Sequence, residues 1–281
     1  MGTLQVQRLG HVNVFAADHE AVQGYAERVL GAQSFMDWAE PEFGGRNALW
    51  RIAGTVVEIF SPTRPDAAIG QWVARNGSGW HSLEWTVPSL PEALATVAER
   101  GIRITDHVEG AYAFTHPKDC HGISLELTEA HFPGDLRDDP GWTPPTGGPE
   151  NPLGIVGPVV IAVAARDPRA AAAWLSELTG GSAVGEEERP HANTLAVSVT
   201  FPDHVVEFVA PLATPAHDHL GLFLEQRGER LFSVAFPVAD LYQTRAELAR
   251  GGVRFEQFGR ESLVLLPDGT GAGRIELRAA G

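Results

Sequence analysis

The sequence predicts an α+β fold made of four copies of one strand–helix–several-strands unit. Three observations predict it. Short runs with period-two alternation recur, with amphipathic helix signals between them. Glutamates in those runs keep matched distances. His11 and Glu58 are 47 residues apart, and so are Val160 and Glu207, while His81–Glu126 and Phe232–Glu276 are separated by 45 and 44. The order also restarts after a Pro- and Gly-rich stretch, so the halves are offset by 149 to 151 residues and the first-half quarters by 68 to 70. Four copies interrupted by such a stretch are too few for a solenoid.

Residues 9–15 alternate as a strand with His11, Asn13 and Phe15 on one face and Val12 and Val14 on the other. Asp18 then caps a helix with the stripe Val22, Tyr25, Ala26, Val29 and Leu30, and Gly31 ends it. Residues 47–52 and 54–60 read as strands, 67–75 as helix, and Asn76-Gly77 as a turn. Residues 80–87 open the second unit, with His81, Leu83 and Trp85 on one face. Ser89 and Glu92 form a capping box for the helix of Leu90, Leu94 and Val97, closed by Gly101. Strand material follows from Ile102. The last strand turns Ile123, Leu125 and Leu127 one way and Ser124, Glu126 and Thr128 the other.

Residues 132–153 carry Pro, Gly and Asp without a period and read as a linker. The expected division is 1–131, the linker 132–153, and 154–281. In the second half, 159–164 is a strand, Asp167-Pro168 starts a helix that ends at Gly180, and 205–210, 231–236 and 274–278 are strands. A helix spans about 240–250, and His217-Asp218-His219 reads as a solvated helix start.

The chain has 281 residues, a formal net charge of −15 and Lys118 as its sole lysine. That charge argues against nucleic acid and against an anionic membrane surface, since both need clustered cations. The sequence has no apolar run long enough to span a bilayer, and its start lacks a signal-peptide pattern. Cys120 is the only cysteine, so no intrachain disulfide forms. These facts lead to an expectation of a cytoplasmic protein with a small-molecule substrate, a homodimer being left open.

A carboxylate in mid-strand is costly to bury unless it is paired or bound to a cation. His11, Glu58, His81 and Glu126 hold equivalent places in the first two units: first strand, last strand, first strand, last strand. Two units about a pseudo-twofold axis would bring all four to one point. Two imidazoles and two carboxylates make a site for one divalent ion such as Zn, Ni, Co, Mn or Fe. A lone strand histidine is more often a core or surface residue; the joint pattern is what selects these two. The second half keeps Glu207 and Glu276 but has Val160 and Phe232 in place of the histidines, so metal is expected in the first half only. Asn13, Trp85, Ser124 and Thr128 share faces with the four and are expected to line the pocket. Loops at 33–46 and 104–115 are expected to shape it.

GHVNVFAADHEAVQGYAERVLGA resembles the opening strand and helix of the vicinal oxygen chelate superfamily, the glyoxalase and bleomycin-resistance proteins. VEIFSPTRPDAAIGQWVARNGSGWHSLEWTV and HPKDCHGISLEL resemble methylmalonyl-CoA epimerases. The resemblance implies four βαβββ modules in two domains, with curved, antiparallel-rich sheets and helices on the outer faces. It carries metal ligation onto His11, Glu58, His81 and Glu126, a set also found in bacterial-type glyoxalase I. It implies a metal-dependent isomerase or lyase that stabilises an enediolate, with Glu126 or Glu58 as the base. An Fe(II) ring-cleaving dioxygenase and a non-catalytic small-molecule or antibiotic binder are the alternatives.

Overall fold

Alternation along the chain produces strands, and in-register pairing gathers them into two curled eight-stranded sheets. The computed structural model describes residues 2–213, 218–266 and 273–280. The first sheet contains β1 (Arg8–Phe15), β2 (Gln33–Glu40), β3 (Gly45–Ile52), β4 (Thr55–Pro62), β5 (Gly79–Thr86), β6 (Ile104–Val108), β7 (Tyr112–Thr115) and β8 (Ser124–Thr128). Its order is β2-β3-β4-β1-β5-β8-β7-β6. The second contains β9 (Val159–Ala164), β10 (Ser182–Arg189), β11 (Thr194–Thr200), β12 (His204–Pro211), β13 (Arg230–Val238), β14 (Phe255–Phe258), β15 (Ser262–Leu265) and β16 (Arg274–Ala279). Its order, β10-β11-β12-β9-β13-β16-β15-β14, repeats the first. This is the α+β architecture of four βαβββ modules.

Each module helix starts where its cap is written. Asp18 accepts from Ala21 N ahead of α1 (His19–Tyr25), which runs into a wider π-type turn, Ala26–Leu30, ended by Gly31 in the left-handed region. Ser89 accepts from Glu92 N at α3 (Leu90–Glu99), and Leu90 N bonds the Glu129 carboxylate. Asp167 caps α4 (Pro168–Thr179) and Asp240 caps α6 (Leu241–Arg250). Two further helices, α2 (Ala68–Asn76) and α5 (His219–Arg227), connect modules, the latter capped by Asp218; His217 lies outside the described residues.

Two loop readings change. The 33–46 loop contains β2, which pairs antiparallel with β3 through a bulge between Ser34 and Met36 that hides its alternation. The 104–115 loop is the β6–β7 hairpin, in line with the strand material expected from Ile102, and its edge strand is exposed. The 132–153 stretch is a strap, largely exposed but pinned at a few points. Asp135 is buried and held by Arg137 Nη2 at 2.7 Å, and buried Asn151 bonds Pro145 O, Ile155 O and Ile155 N. Such polar anchoring replaces the apolar period that the sequence lacks.

Packing groups the chain into two compact units that cut across the sheets. One is Met1–Gly10, Ser82–Ala130 and Val160–Ser233. Within it Leu4 N bonds Leu178 O, and Arg100 bonds the carbonyls of Gly2 and Glu177. The other is His11–His81, His131–Val159 and Val234–Gly281. Within it the Trp80 indole donates to Arg274 O at 2.8 Å, and Thr244 donates to Leu153 O.

Candidate metal centre

β1 and β4 run parallel with Asn13 opposite Glu58, so His11, Asn13 and Glu58 share a face. All three are buried. His11 Nε2 lies 2.8 Å from Glu58 Oε2. The Phe132 ring of the strap sits 5.6 Å from the His11 ring, centre to centre.

β5 and β8 also run parallel, pairing Ser82 with Ser124, Glu84 with Glu126 and Thr86 with Thr128. The polar face of β8 therefore continues onto β5 as Ser82, Glu84 and Thr86. Glu84 and Glu126 are 2% and 6% exposed, so two carboxylates stand side by side in a dry place. Gly10 makes room for one of them: a Cβ there would fall 1.9 Å from Glu84 Oε1.

β1, β5 and β8 are successive strands of one sheet, and one ligand atom each of His11, Glu84 and Glu126 lies within 4.8 Å of the others. A cation between two adjacent buried carboxylates offsets the repulsion of their charges. One imidazole nitrogen with two carboxylate oxygens fits a divalent first-row ion. The donor set thus agrees with a metal on its own chemistry.

The structure distributes the expected site residues unevenly. His11 meets Glu58 in one contact and Glu84 and Glu126 in the other. His81 does not join them. It stacks on Phe15 at 3.9 Å and meets Trp72 edge-on at 5.3 Å. Leu83 pairs with Leu125 and Trp85 with Leu127, so Leu83 and Trp85 follow the aliphatic face of β8, opposite to Glu126. Trp85 is no pocket wall either. It is fully buried and donates its indole N–H to His204 Nε2 at 3.0 Å. Ser124 stays on the Glu126 face, while Thr128 uses its hydroxyl on Ala111 O and Ala130 N. Buried Cys120 has its thiol pushed up to about 11 by desolvation, as befits an inert side chain.

Sequence reasoning missed Glu84. Its signal was present, because a mid-strand carboxylate between Leu83 and Trp85 poses the same burial problem as Glu126.

In the second half, guanidinium groups stand against the equivalent glutamates. Arg189 makes two bonds to Glu207, at 2.6 and 2.9 Å. Arg274 and Arg278 both hold Glu276, each at 2.9 Å. Burial would raise the Glu276 carboxyl, but the charges of Arg278 and Arg274 overcome it and hold the group at about 2. These carboxylates are already neutralised by the chain.

The chain is 30% identical over 130 residues to mitochondrial methylmalonyl-CoA epimerase of Bos taurus, across 44% of this chain and 74% of that one. The Mus musculus protein of the same name is 31% identical over 130 residues, 44% and 73% of the two chains. A Cereibacter sphaeroides ethylmalonyl-CoA/methylmalonyl-CoA epimerase is 27% identical over 132 residues, 44% of this chain and 98% of that one. A substituted variant of 4-hydroxymandelate synthase from Streptomyces coelicolor shares the fold. It superposes with a TM-score of 0.69 over 98% of this chain and 94% of that one, at 15% identity. No family model matches. The chain belongs to the vicinal oxygen chelate superfamily, as a four-module member. The epimerases named here are enzymes, and an enzymatic role is what they support for this chain.

Proposed function

We propose that this chain is a metal-dependent isomerase or lyase of the glyoxalase–epimerase type, acting on a small oxygenated substrate through an enediolate. The observation that carries it is the gathering of His11, Glu84 and Glu126 on three adjacent strands, all buried. In this reading those three residues hold one divalent ion. When bound, the ion supplies Lewis-acid stabilisation of the negative charge that develops on two neighbouring substrate oxygens.

Glu58 is the base. It is buried and touches His11 Nε2, and in this reading its carboxylate removes a proton from the carbon beside the substrate carbonyl. Returning that proton to the same or the neighbouring carbon completes an isomerisation. Phe132 lies against His11 and keeps water from that side. The donors also bear on the dioxygenase alternative, since an Fe(II) facial site uses two imidazoles and one carboxylate whereas the gathered set has the reverse ratio.

The test is elemental analysis of purified variants together with deuterium exchange at the substrate carbon. His11→Ala and Glu84→Gln are expected to lose the metal, and His81→Ala to keep it. Glu58→Gln is expected to keep the metal and to lose exchange by a factor of about 100 or more. Metal retained in Glu84→Gln but lost in His81→Ala would overturn the donor assignment. Undiminished exchange in Glu58→Gln would overturn the base.

A further inference from the structure

Arg51 is 8% exposed, yet no carboxylate lies within ion-pair distance of it among the described residues. Its Nη2 donates to the neutral Gln33 Oε1 at 2.6 Å, and its guanidinium carbon lies 5.3 Å from the centre of the Trp142 ring. Desolvation lowers its pKa, only partly offset by the more distant Asp135 and Glu150. Asp135, the nearer in effect, spends both oxygens on Arg137. A buried cation without a counter-charge is expensive for a fold to keep unless something anionic visits it.

Its position says what that visitor would be. Arg51 pairs with Val56 on β4, and the pair two positions along, Leu49 with Glu58, lies on the same face. Because Val12 pairs with Val57, Val56 in turn lies beside His11. The row across the sheet is therefore Gln33, Arg51, Val56 and His11, with the guanidinium and the imidazole two strands, or about 10 Å, apart. The strap roofs both ends, Phe132 at His11 and Trp142 at Arg51. Asn47 lies on the same face of β3, two residues beyond Leu49. It is 1% exposed, and its Oδ1 has no hydrogen-bond partner among the described residues. Buried Val56 and Leu49 give an apolar floor between His11 and the fixed cation of Arg51.

We infer that Arg51 is a substrate-binding residue that takes an anionic group, a carboxylate or a phosphate, of a molecule whose other end reaches the metal centre at His11. This rests on the metal-centre reading for the second half of the statement, while anion capture by Arg51 stands alone. A planar guanidinium with open donors matches either oxyanion in a two-pronged way. It also gives a chain of net charge −15 a local means of accepting an anion.

The experiment is arginine labelling by phenylglyoxal on the full wild-type chain, with modified peptides located by mass spectrometry. It is run with and without malonate, and separately with inorganic phosphate, at 10 mM. Labelling of Arg51 is expected to slow at least fivefold with one of the anions while exposed Arg103 is unaffected. Protection by malonate alone assigns a carboxylate, and protection by phosphate alone assigns a phosphate. Equal labelling with and without both anions overturns the inference, and so does an Arg51 that never labels, since no ligand then reaches it. Arg51→Met, checked for an unchanged melting temperature, is expected to bind the protecting anion at least tenfold more weakly by calorimetry. The chelator-stripped protein should retain the protection. Lost metal binding with retained protection therefore sinks the proposed function and spares Arg51, and the reverse outcome does the opposite.

Discussion

Two buried side chains on β5 show how much one residue decides. Trp85 and Glu84 are neighbours in sequence and point to opposite faces, one to His204 and the other to Glu126. His204 accepts the indole proton at Nε2 and reaches Asp203 through Nδ1 at 2.8 Å, while Asp203 also accepts from Leu9 N. His204→Phe keeps a ring but strands the indole N–H, so a loss of about 1–3 kcal/mol is expected in chemical denaturation. Adding Trp85→Phe removes the stranded donor. The double variant should then be more stable than the sum of the singles predicts, and strict additivity would contradict the bond. Glu276 gives a second residue-level expectation. Its folded value of about 2 lies below the ordinary 4.5, so its stabilisation is full above about pH 4.5 and is lost as pH falls through 2. Glu276→Gln should flatten that part of the stability-against-pH curve, by roughly 3 kcal/mol at most. An unchanged slope in the variant would count against the arginine pairing.

At the scale of elements, the parallel pairing of β5 with β8 selects which carboxylates meet. The β1 strand contributes by what it lacks at Gly10, where the Glu84 carboxylate occupies the space of a side chain. Gly10→Ala is expected to displace Glu84 and lower metal occupancy while the far-ultraviolet circular dichroism is unchanged. Full occupancy by elemental analysis would refute this. Gly122 makes a comparable demand on the loop before β8. Its φ is 87°, and a Cβ would come within 2.5 Å of the Glu229 backbone carbon. Gly122→Ala should therefore cost about 1–3 kcal/mol, read from the thermal midpoint. Element positions were largely legible in the sequence, because caps such as Asp18, Ser89 and Asp240 and the alternation of β1, β4 and β8 are local signals. β2 was not, because a bulge breaks its period.

Across the whole molecule, sheet membership follows the halves of the chain, but packing joins residues 82–130 to 160–233. The acceptor for Trp85 and the neighbours of Gly122 both come from that later segment. A fragment of residues 1–131 is therefore expected to lack a cooperative unfolding transition, and mixing it with 132–281 should restore one. A fragment that melts cooperatively alone would show that the first half is self-sufficient. The strap at 132–153 belongs to the same scale, since its buried Asp135 and Asn151 should slow proteolysis there despite its Pro- and Gly-rich composition. No helix among the described residues is long and apolar enough to cross a membrane.

By itself the sequence determined the fourfold repeat, the α+β class, the superfamily resemblance and the candidacy of His11, Glu58 and Glu126. Each of these is written in spacing, alternation or residue type, which a linear reading can see. Tertiary structure alone decided that Glu84 rather than His81 joins His11 and Glu126. It also decided that arginines neutralise Glu207 and Glu276, and that a guanidinium sits unpaired in the row of His11. All three depend on strand register, and a shift of one residue exchanges the faces of a strand without changing a letter of its sequence.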